Sequence, residues 1–350
     1  MQLVHGGDWA GYEAEYGRSA LDFSANVSPL GVPQGVQRAI AAAAVRSDRY
    51  PDPLCRELCA ALAQRENLSP DWILCGNGAA DLIWRLAAAR RPRRALLPAP
   101  AFAEYAAALQ SVGCRVDRHL LSERENFTLD PAFLQAITPE TEMVFLCEPN
   151  NPTGRTTPMP LLLRVLDRCC AVGAVLVVDE CFGDFLDDPA AHTLVPQLAR
   201  HPRLVILKAF TKLYAMAGVR LGYALCSDPA LVEQLRGAGS PWSVSSLAQA
   251  AGLAALQENA YVQRVRALVQ TQRPLLEEGL RALGLRVIPG QANYLLFRCT
   301  RPLVVPLKER GILLRSCGNY PGLDDSWYRT AVRTEPENRR LLAALREILS

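Results

Sequence analysis

Short apolar runs alternate with longer stretches of helical spacing from about residue 70 to residue 226 of the chain. The apolar runs have the length of strands, and they are "WILC" (72–75), "RALLP" (94–98), "EMVFLC" (142–147), "AVLVVD" (174–179), "RLVILKAF" (203–210) and "GYALC" (222–226). Helical spacing is evident between them in "AADLIWRLAAARR", "AEYAAALQSVG" and "PMPLLLRVLDRCCAVG". This alternation predicts an α/β domain with a mostly parallel sheet whose strands are buried on both faces.

The pattern changes after Pro241, where long helical stretches lead to two apolar runs, "LRVIP" and "ANYLLFR", and to a closing helix, "ENRRLLAALREIL". This order is typical of a smaller α+β domain. We therefore expect a large domain over residues 45–235, a small domain formed by 31–44 and 236–350, and an N-terminal arm with little regular structure over 1–30.

Composition narrows the possible partners. The chain has 350 residues, half of them hydrophobic, and a net charge of only +3, so it can bury a large core but offers no basic surface for nucleic acid. The apolar runs fall well short of the roughly 20 residues that span a bilayer. The first residues, "MQLVHGGDWAGYEAEYG", have neither the basic start nor the apolar core of a signal peptide. We expect a cytoplasmic protein that binds neither nucleic acid nor membrane.

The eleven cysteines do not indicate disulfides or zinc. Their number is odd, no CxxC occurs, and several lie inside apolar runs, while the four histidines are scattered along the chain. A zinc site needs a cluster of thiolates and imidazoles. We expect buried, reduced thiols and no metal.

Polar residues follow the apolar runs where ligands bind in open α/β sheets, at the carboxyl ends of the strands. "WILC" runs into the glycine-rich turn "GNGAAD", which opens a helix and can offer backbone N–H groups to a phosphate. The other runs end near Phe102, Asn151, Asp179 and Lys212. Each is an ordinary turn or core residue when taken alone.

Taken together, these residues predict one crevice with a consistent chemistry. A lysine can condense with an aldehyde, an aspartate can pair with a pyridinium nitrogen, and an aromatic ring can stack on a pyridine. A carboxylate at the end of a buried strand, as at Asp179, is costly unless it meets a cation or hydrogen-bond donors. The set suits a pyridine cofactor that carries a phosphate and an aldehyde.

The combination of "EPNNPTG", "VVDE" and "FTKLYAMAGVRLGY" resembles the fold-type I pyridoxal-phosphate enzymes of the class I/II aminotransferase superfamily, over essentially the whole chain. The resemblance implies pyridoxal 5'-phosphate as cofactor. It also implies a large domain with a mostly parallel central sheet sandwiched by helices, and a smaller α+β domain. By this resemblance Lys212 forms the Schiff base, Asp179 pairs with the pyridinium nitrogen, Asn151 donates to the ring 3-oxygen, and Phe102 stacks on the ring.

The resemblance also implies a site for the cofactor phosphate. Arg220 matches the phosphate-binding arginine, and the loop Gly78–Ala79–Ala80 offers amide donors. Tyr50, in "RYPDP", matches a tyrosine that reaches the phosphate of the neighbouring subunit, which implies a homodimer with shared active sites. One position departs from the pattern: Ala209 stands where a hydroxyl ligand is usual, so Thr211 or a water is expected to replace that contact.

Arginines near the C-terminus match the substrate-binding part of the pattern. Arg329, in "WYRTAVRTEPEN", resembles the arginine that grips the substrate's carboxylate, for which a guanidinium is suited because it binds bidentately. Our hypothesis is that Arg315 and His5 hold a substrate phosphate and that Asn151 also contacts the substrate. Phe182 is a second departure, since aminotransferases usually carry a tyrosine there that bonds the 3-oxygen.

Four further stretches distinguish families within the superfamily: "HGG" (5–7), "LDFSANVSPLG" (21–31), "PWSVSSLAQA" (241–250) and "GILLRSCGNYPGL" (311–323). With Phe182, they resemble the threonine-phosphate decarboxylase family more than the histidinol-phosphate aminotransferases. The resemblance implies decarboxylation of a small phosphorylated amino acid, L-threonine O-3-phosphate, to (R)-1-amino-2-propanol phosphate in cobalamin biosynthesis.

Other functions stay open on the sequence. They are a histidinol-phosphate-type aminotransferase, an L-serine O-phosphate decarboxylase, and a non-catalytic binding protein that kept the fold. A Rossmann-type dehydrogenase is disfavoured because "CGNGAAD" lacks the GxGxxG spacing.

Overall fold

The computed structural model describes residues 6–350 of the chain. Its α-helices are α1 (Trp9–Tyr16), α2 (Gln34–Ala44), α3 (Arg56–Glu66), α4 (Gly78–Arg90), α5 (Ala103–Ser111), α6 (Phe133–Ala136), α7 (Met159–Val172), α8 (Phe210–Leu213), α9 (Pro229–Gly237), α10 (Ser246–Ala255), α11 (Asn259–Ala282), α12 (Val304–Glu309) and α13 (Glu335–Leu349). Its strands are β1 (Leu21–Asp22), β2 (Ile73–Gly76), β3 (Arg94–Ala99), β4 (Arg115–Leu120), β5 (Met143–Cys147), β6 (Val175–Asp179), β7 (Leu204–Ala209), β8 (Gly222–Leu225), β9 (Arg286–Ile288), β10 (Tyr294–Arg298), β11 (Ile312–Leu313), β12 (Arg315–Ser316) and β13 (Trp327–Ala331).

The central sheet has seven strands in the order β2-β8-β7-β6-β5-β3-β4. Strand β8 runs antiparallel to both of its neighbours, and the remaining ladders are parallel. Each of the six predicted apolar runs forms one of these strands, with ends that differ by a residue. The predicted mostly parallel sheet is therefore confirmed.

The apolar runs are continuous because the sheet is covered on both faces. Along β6, Leu176 and Val178 pack into one hydrophobic cluster, while Val175 and Val177 pack into another on the opposite face. Successive side chains of a strand point to opposite faces, so a strand in the middle of this sheet needs an apolar residue at every position.

Strand β4 was not predicted. It lies at the edge of the sheet, pairs only with β3, and has no fully buried residue along its length. Its sequence, "RVDRHL", is mostly polar and has only two apolar residues, Val116 and Leu120. A continuous apolar run marks a strand that is buried on both faces, whereas an edge strand of this kind has no such run.

A second sheet of four antiparallel strands, in the order β12-β13-β10-β9, lies in the C-terminal part of the chain. Strands β9 and β10 correspond to the two predicted apolar runs, and α13 is the predicted closing helix. The start of α13 is secured by a capping box between Thr334 and Glu337. Strands β12 and β13 were not predicted from the apolar pattern.

The expectation of little regular structure in the first thirty residues was wrong. Helix α1 lies there, and β1 pairs in parallel with β11. Phe23 is fully buried in the cluster that also covers the four-stranded sheet, and its carbonyl accepts a hydrogen bond from the Ala331 amide. A two-residue strand is too short to leave a periodic signal, so only its distant partner reveals it. The predicted domain limits stay a prediction.

The parallel strands bring their carboxyl ends to one edge of the central sheet. Helix α4 begins two residues after β2, α5 four residues after β3, and α8 immediately after β7. Loops and helix N-termini from separate parts of the sequence therefore converge at this edge. None of the helices in residues 6–350 combines the length and the apolar composition needed to cross a bilayer.

Candidate active site

A cavity of about 120 Å³ lies at the carboxyl ends of the central strands. Most of the residues predicted for the cofactor site line it together, although they come from six different loops and strand ends. The lining residues are Ala79, Ala80, Phe102, Tyr105, Cys147, Asn151, Asp179, Cys181, Phe182, Ala209, Thr211, Lys212 and Arg220.

Lys212 reaches the cavity from the short helix α8, which begins directly where β7 ends. The residue as a whole is half-buried, because part of its side chain is exposed to the cavity. Its amine is surrounded by protein and shielded from bulk water. This burial, followed by the positive charges of Arg329 and Arg220, lowers the pKa of Lys212 from 10.5 to about 8. A large fraction of the amine is therefore neutral, and so nucleophilic, close to physiological pH.

Asp179 is the last residue of β6 and is buried. One of its carboxylate oxygens accepts a hydrogen bond from the Tyr105 hydroxyl at 2.7 Å, and the other accepts from the Cys181 amide at 3.0 Å. These donors offset the cost of burying the carboxylate and hold its orientation.

Tyr105 was missed in the sequence. It follows Phe102 by three residues at the start of α5, a spacing that puts both side chains on one side of a helix, and their rings meet edge to face with centroids 5.6 Å apart. The Tyr105 ring also stacks on Phe145 at 5.0 Å. The i, i+3 spacing of two aromatic residues was the available signal.

The phosphate side of the cavity is built from Arg220 and the loop before α4. Gly78 has φ +78°, and a Cβ there would lie 2.6 Å from the Arg220 guanidinium. Arg220 itself has φ +60°, and its Nη2 donates to the Asn77 carbonyl at 3.4 Å. Only glycine leaves room for the guanidinium to lie against this helix N-terminus, where backbone N–H groups and a positive charge favour a phosphate.

The two departures from the family pattern both face the cavity. Ala209 brings no hydroxyl, while Thr211 lines the same cavity two residues later. Phe182 is buried, lies edge-on to Tyr294 with centroids 4.9 Å apart, and has its ring centroid 5.3 Å from the Lys212 amine. The replacement of the missing hydroxyl by Thr211 stays a prediction.

Arg329, which was predicted to bind the substrate, contacts Asn151, which was predicted to bind the cofactor. It lies on β13, its Nη1 donates to the Asn151 side-chain oxygen, and its Nη2 donates to the Ser24 carbonyl at 2.9 Å. Its guanidinium also lies over the Tyr294 ring at 5.5 Å. The Nε atom is buried without a partner in the structure. With its oxygen held by Arg329, Asn151 has its amide NH₂ as the group that can serve a cofactor.

Arg315 lies directly opposite Arg329 in the antiparallel pairing of β12 with β13. Opposite residues of such a pair share a face of the sheet, so the two arginine side chains extend from the same face. Arg315 is buried, donates to the Asn319 side-chain oxygen at 2.8 Å and lies over the Tyr320 ring at 5.4 Å. The structure thus brings together the two arginines that the sequence placed at the substrate.

Asn26 is a second residue that was missed. It is 2% exposed, and neither its amide nitrogen nor its amide oxygen has a hydrogen-bond partner in the structure. It lies between Ser24, whose carbonyl accepts from Arg329, and Ser28, whose amide donates to the Lys212 carbonyl at 2.9 Å. A buried polar group without a partner costs about 1–3 kcal/mol, so an amide in this position suits a ligand contact.

Tyr50 was predicted for the cofactor site but is not among the residues that line this cavity. Tyr50 is 81% exposed and packs against Trp242, itself 48% exposed, with ring centroids 4.7 Å apart. It does not line the cavity of its own chain, so its predicted contact depends on a second subunit and stays a prediction. His5 lies outside the described residues.

The donor set fits pyridoxal phosphate. The Gly78 position is a cradle that a Cβ would fill, and Arg220 supplies the charge beside it. Asp179 is a buried carboxylate with a fixed orientation, and Lys212 is an amine with a lowered pKa in the same cavity. A phosphate, a ring nitrogen and an aldehyde would each find a matching group. Among residues 6–350, no cluster of His, Cys, Asp and Glu has the arrangement of a metal site.

Comparison with known proteins agrees with this geometry. The family pattern described as "Aminotransferase class I and II" matches residues 18–345. The chain is 43% identical over 340 residues to threonine-phosphate decarboxylase of Salmonella typhimurium, which covers 94% of this chain and 91% of that enzyme. It is 34% identical over 338 residues to histidinol-phosphate aminotransferase 1 of Cupriavidus pinatubonensis, covering 94% and 88%.

A solved structure with the same fold is the histidinol-phosphate aminotransferase of Clostridium acetobutylicum. It superposes with a TM-score of 0.88 at 28% identity, over 94% of this chain and 99% of that one. The similarity extends over both sheets, because nearly the whole of each chain takes part.

Proposed function

This chain belongs to the class I and II aminotransferase family, and on that premise we propose that it is a pyridoxal-phosphate-dependent carboxy-lyase. Its substrate is L-threonine O-3-phosphate, and its products are (R)-1-amino-2-propanol phosphate and carbon dioxide. The amino alcohol phosphate serves cobalamin biosynthesis. The 43% identity to a threonine-phosphate decarboxylase supports this reaction over transamination.

The observation that carries the proposal is the pair of buried arginines, Arg315 and Arg329, opposite each other on β12 and β13. Like charges placed directly opposite on neighbouring strands repel, and burial strengthens the repulsion. A ligand with two anionic groups relieves it. Threonine phosphate has a carboxylate and a phosphate, and each suits the bidentate fork of a guanidinium.

The cofactor side of the cavity provides a fixed frame for this ligand. Arg220 and the amides after Gly78 would bind the cofactor phosphate, Asp179 would pair with the ring nitrogen, and Phe102 would cover the ring. When bound, pyridoxal phosphate supplies the electron sink for the bond that breaks at the substrate's α-carbon. Tyr105 keeps Asp179 oriented through the hydrogen bond of 2.7 Å.

The substrate side determines which bond breaks. A decarboxylase must hold the substrate carboxylate so that the bond to it breaks, whereas an aminotransferase must present the Cα–H bond instead. Arg329 binds the carboxylate, and its hydrogen bond to Asn151 fixes the position of the carboxylate relative to the cofactor. Arg315 holds the substrate phosphate, with His5 as a further contact. Two anchors at different points of one small molecule fix its rotation about Cα.

Asn26 and Lys212 complete the reaction site. Asn26 lies in sequence between the residues that contact Arg329 and Lys212, and its amide has no partner within residues 6–350, so it donates to the bound substrate. After carbon dioxide leaves, the α-carbon needs a proton, and the Lys212 amine is placed to hold one. A pKa of about 8 makes both its charged and its neutral form accessible near neutral pH.

The active form is a homodimer with shared sites. Tyr50 and Trp242 form an exposed aromatic pair, and aromatic side chains are enriched in subunit interfaces. In the dimer Tyr50 reaches the cofactor phosphate of the partner subunit. Sedimentation analysis of the purified protein tests this, with the expected mass being twice that of one chain.

A substrate panel tests the reaction. The purified holoenzyme is incubated with L-threonine O-3-phosphate, L-serine O-phosphate or unphosphorylated threonine, without any oxo acid, and carbon dioxide is measured. We expect release from threonine phosphate and little from unphosphorylated threonine. The two phosphorylated amino acids differ by one methyl group, which is worth about 1–3 kcal/mol in a pocket, so serine phosphate serves as a weaker substrate.

The alternative is a histidinol-phosphate-type aminotransferase, favoured by the relatives of that name at 34% and 37% identity. In that case histidinol phosphate with 2-oxoglutarate would give glutamate, and no phosphorylated amino acid would release carbon dioxide. Such a result would refute the decarboxylase while leaving the cofactor site intact.

A further inference from the structure

Three cysteine thiols meet behind the loop that begins α4. Cys59 lies on α3, Cys75 lies on β2, and their sulfur atoms are 3.8 Å apart. Cys55, which precedes α3, lies against the same Cys75 thiol. All three are buried, with exposures of 4%, 7% and 6% for Cys55, Cys59 and Cys75. No role in the proposed reaction involves them.

The Cys59–Cys75 distance is short enough for a bond to form without large movement. A disulfide joins its sulfurs at about 2.05 Å, so the two atoms must approach by roughly 1.8 Å, which small side-chain rotations and a shift of α3 can supply. Helix α3 packs directly on β2. The Cys59 thiol also lies near the Leu54 carbonyl, at 3.6 Å, and the Ile73 carbonyl, at 3.8 Å.

The two thiols differ in their acidity. The hydrogen bond from Cys75 lowers the pKa of Cys59, whereas hydrogen bonds with Cys55 and Cys59 raise that of Cys75. Cys59 is therefore the first of the pair to lose its proton. The thiolate is the form that reacts with oxidants.

We propose that Cys59 and Cys75 are an oxidisable pair that forms a disulfide with hydrogen peroxide. The Cys59 thiolate attacks one peroxide oxygen and becomes a sulfenic acid, and the other oxygen leaves as hydroxide, which takes up the thiol proton as water. The Cys75 sulfur then attacks the sulfenic sulfur, loses its own proton and displaces a second water. Two thiols lose two electrons in total, and one peroxide becomes two waters.

The disulfide acts on the proposed cofactor site because Cys75 stands three residues before Gly78. The backbone around this connection is closely packed. A Cβ on Gly76 would lie 2.7 Å from the Leu82 side chain, and a Cβ on Gly222 would lie 2.7 Å from the Ala79 amide. A shift at Cys75 is therefore transmitted to the amides that bind the phosphate. Oxidation weakens cofactor retention, a consequence that rests on the proposed function of this loop.

Peptide mapping of the oxidised holoenzyme tests the pair. A Cys170→Ser background removes the exposed thiol, Cys170. The protein is treated with hydrogen peroxide, blocked with an alkylating agent and digested without reductant. We expect a linked peptide that joins the segments of Cys59 and Cys75 and disappears on treatment with dithiothreitol. A map without this link, or with Cys55 in place of Cys59, overturns the proposal.

Cofactor retention is measured on the same samples by the visible absorbance that remains after ultrafiltration. We expect most of the cofactor to be lost after oxidation and retained again after reduction and reloading. The Cys59→Ala variant should keep its cofactor under peroxide, whereas Cys226→Ala, which removes another buried thiol, should lose it like the parent protein. Full retention in the oxidised parent, despite a complete link, would refute the effect on the loop.

Neither readout depends on the substrate. If the protein releases no carbon dioxide from threonine phosphate but forms the link and loses cofactor, the decarboxylase assignment fails and the thiol pair stands. If it releases carbon dioxide but forms no link, the reverse holds.

Discussion

The two ends of the candidate site differ in how the chain builds them. At the cofactor end, Asp179 and Lys212 extend from neighbouring parallel strands, and the sheet alone brings them together. At the substrate end, Arg329 contacts Ser24, which is 305 residues away in sequence. The first end is a property of one sheet, and the second exists only when the N-terminal segment and the four-stranded sheet meet.

The two ends also differ in how well their polar groups are satisfied. Both oxygens of the Asp179 carboxylate accept hydrogen bonds from the protein. At the substrate end, the Arg329 Nε atom and both polar atoms of Asn26 are buried and have no hydrogen-bond partner among residues 6–350. The cofactor end is preorganised, whereas the substrate end is complementary to groups that only a ligand brings. In the proposed function, the first end holds the cofactor and the second end selects the reaction.

The largest effect is expected from Lys212→Ala at the cofactor end. It removes the residue that we propose condenses with the cofactor and moves the proton, and acid–base catalysis alone contributes about 10²–10⁴-fold. Carbon dioxide release should fall by at least that factor. Borohydride should no longer attach the cofactor covalently to the protein.

The matched control is Lys308→Ala, which removes a lysine paired with Glu15 away from the cavity. Its turnover and cofactor attachment should equal those of the parent enzyme. Sustained multiple turnover by the Lys212 variant would contradict the assignment of this residue.

The next effect is expected at the substrate end, from Arg329→Lys. Lysine keeps the charge but cannot bind a carboxylate bidentately or bond Asn151 and Ser24 at once. Hydrogen bonds to charged groups contribute about 1.5–3 kcal/mol, which is roughly a 10- to 150-fold loss in kcat/KM for threonine phosphate.

Arg315→Lys provides the comparison within the arginine pair. It should raise KM for threonine phosphate far more than for unphosphorylated threonine, because Arg315 is proposed to hold the phosphate. Arg329→Lys should affect both substrates alike. Equal effects of Arg315→Lys on the two substrates would remove it from the phosphate site.

A smaller effect is expected from Tyr105→Phe, which deletes one donor to Asp179 and leaves its carboxylate oriented by the Cys181 amide. The loss of one such hydrogen bond costs about 0.5–1.5 kcal/mol, or roughly 2- to 12-fold in kcat. The visible absorbance maximum of the bound cofactor should shift as well, since Asp179 is proposed to pair with the ring nitrogen.

Tyr12→Phe is the control, because Tyr12 lies in α1 and its buried hydroxyl has no hydrogen-bond partner in the described part of the chain. It should change neither the spectrum nor kcat. An unchanged spectrum in the Tyr105 variant would mean that its hydroxyl does not influence the ring.

The smallest effect is expected in the pH dependence of cofactor capture. Condensation requires the neutral amine, and the pKa of Lys212 is lowered to about 8 by burial and by the positive charges of Arg329 and Arg220. The rate at which the apoenzyme takes up pyridoxal phosphate should therefore rise with pH, with a midpoint near 8.

Arg329→Gln removes one of these positive charges. The charged form of Lys212 is then less disfavoured, its pKa rises, and the midpoint moves to higher pH. Stopped-flow absorbance measures both curves. A midpoint that stays in place, or moves to lower pH, would show that Arg329 does not act on the Lys212 amine.

The strands of the central sheet and the residues at their ends could be predicted because their signals are local. Strand β6, for example, is recognisable from four consecutive apolar residues that are followed by Asp179. By contrast, β4 has the polar pattern of an edge, and β1 is only two residues long. Their existence depends on partners that are distant in sequence.

The residues that were missed follow the same division. Tyr105 carries a weak local signal, because its spacing from Phe102 places the two on one side of α5. Asn26 carries none: an asparagine before "VSPLG" reads as part of an ordinary turn. Its importance is visible only from its burial and from the lack of partners for its amide.

The sequence alone predicted six of the seven strands of the central sheet, the residues at the carboxyl ends of those strands and, through the resemblance they carry, the cofactor. Tertiary structure decided that Arg315 and Arg329 stand opposite each other and that Arg329 reaches both Asn151 and Ser24. The physical reason is the range of the interactions. Hydrophobic periodicity and turn chemistry act over a few residues and leave their pattern in the sequence, whereas register between distant strands depends on the packing of the whole chain.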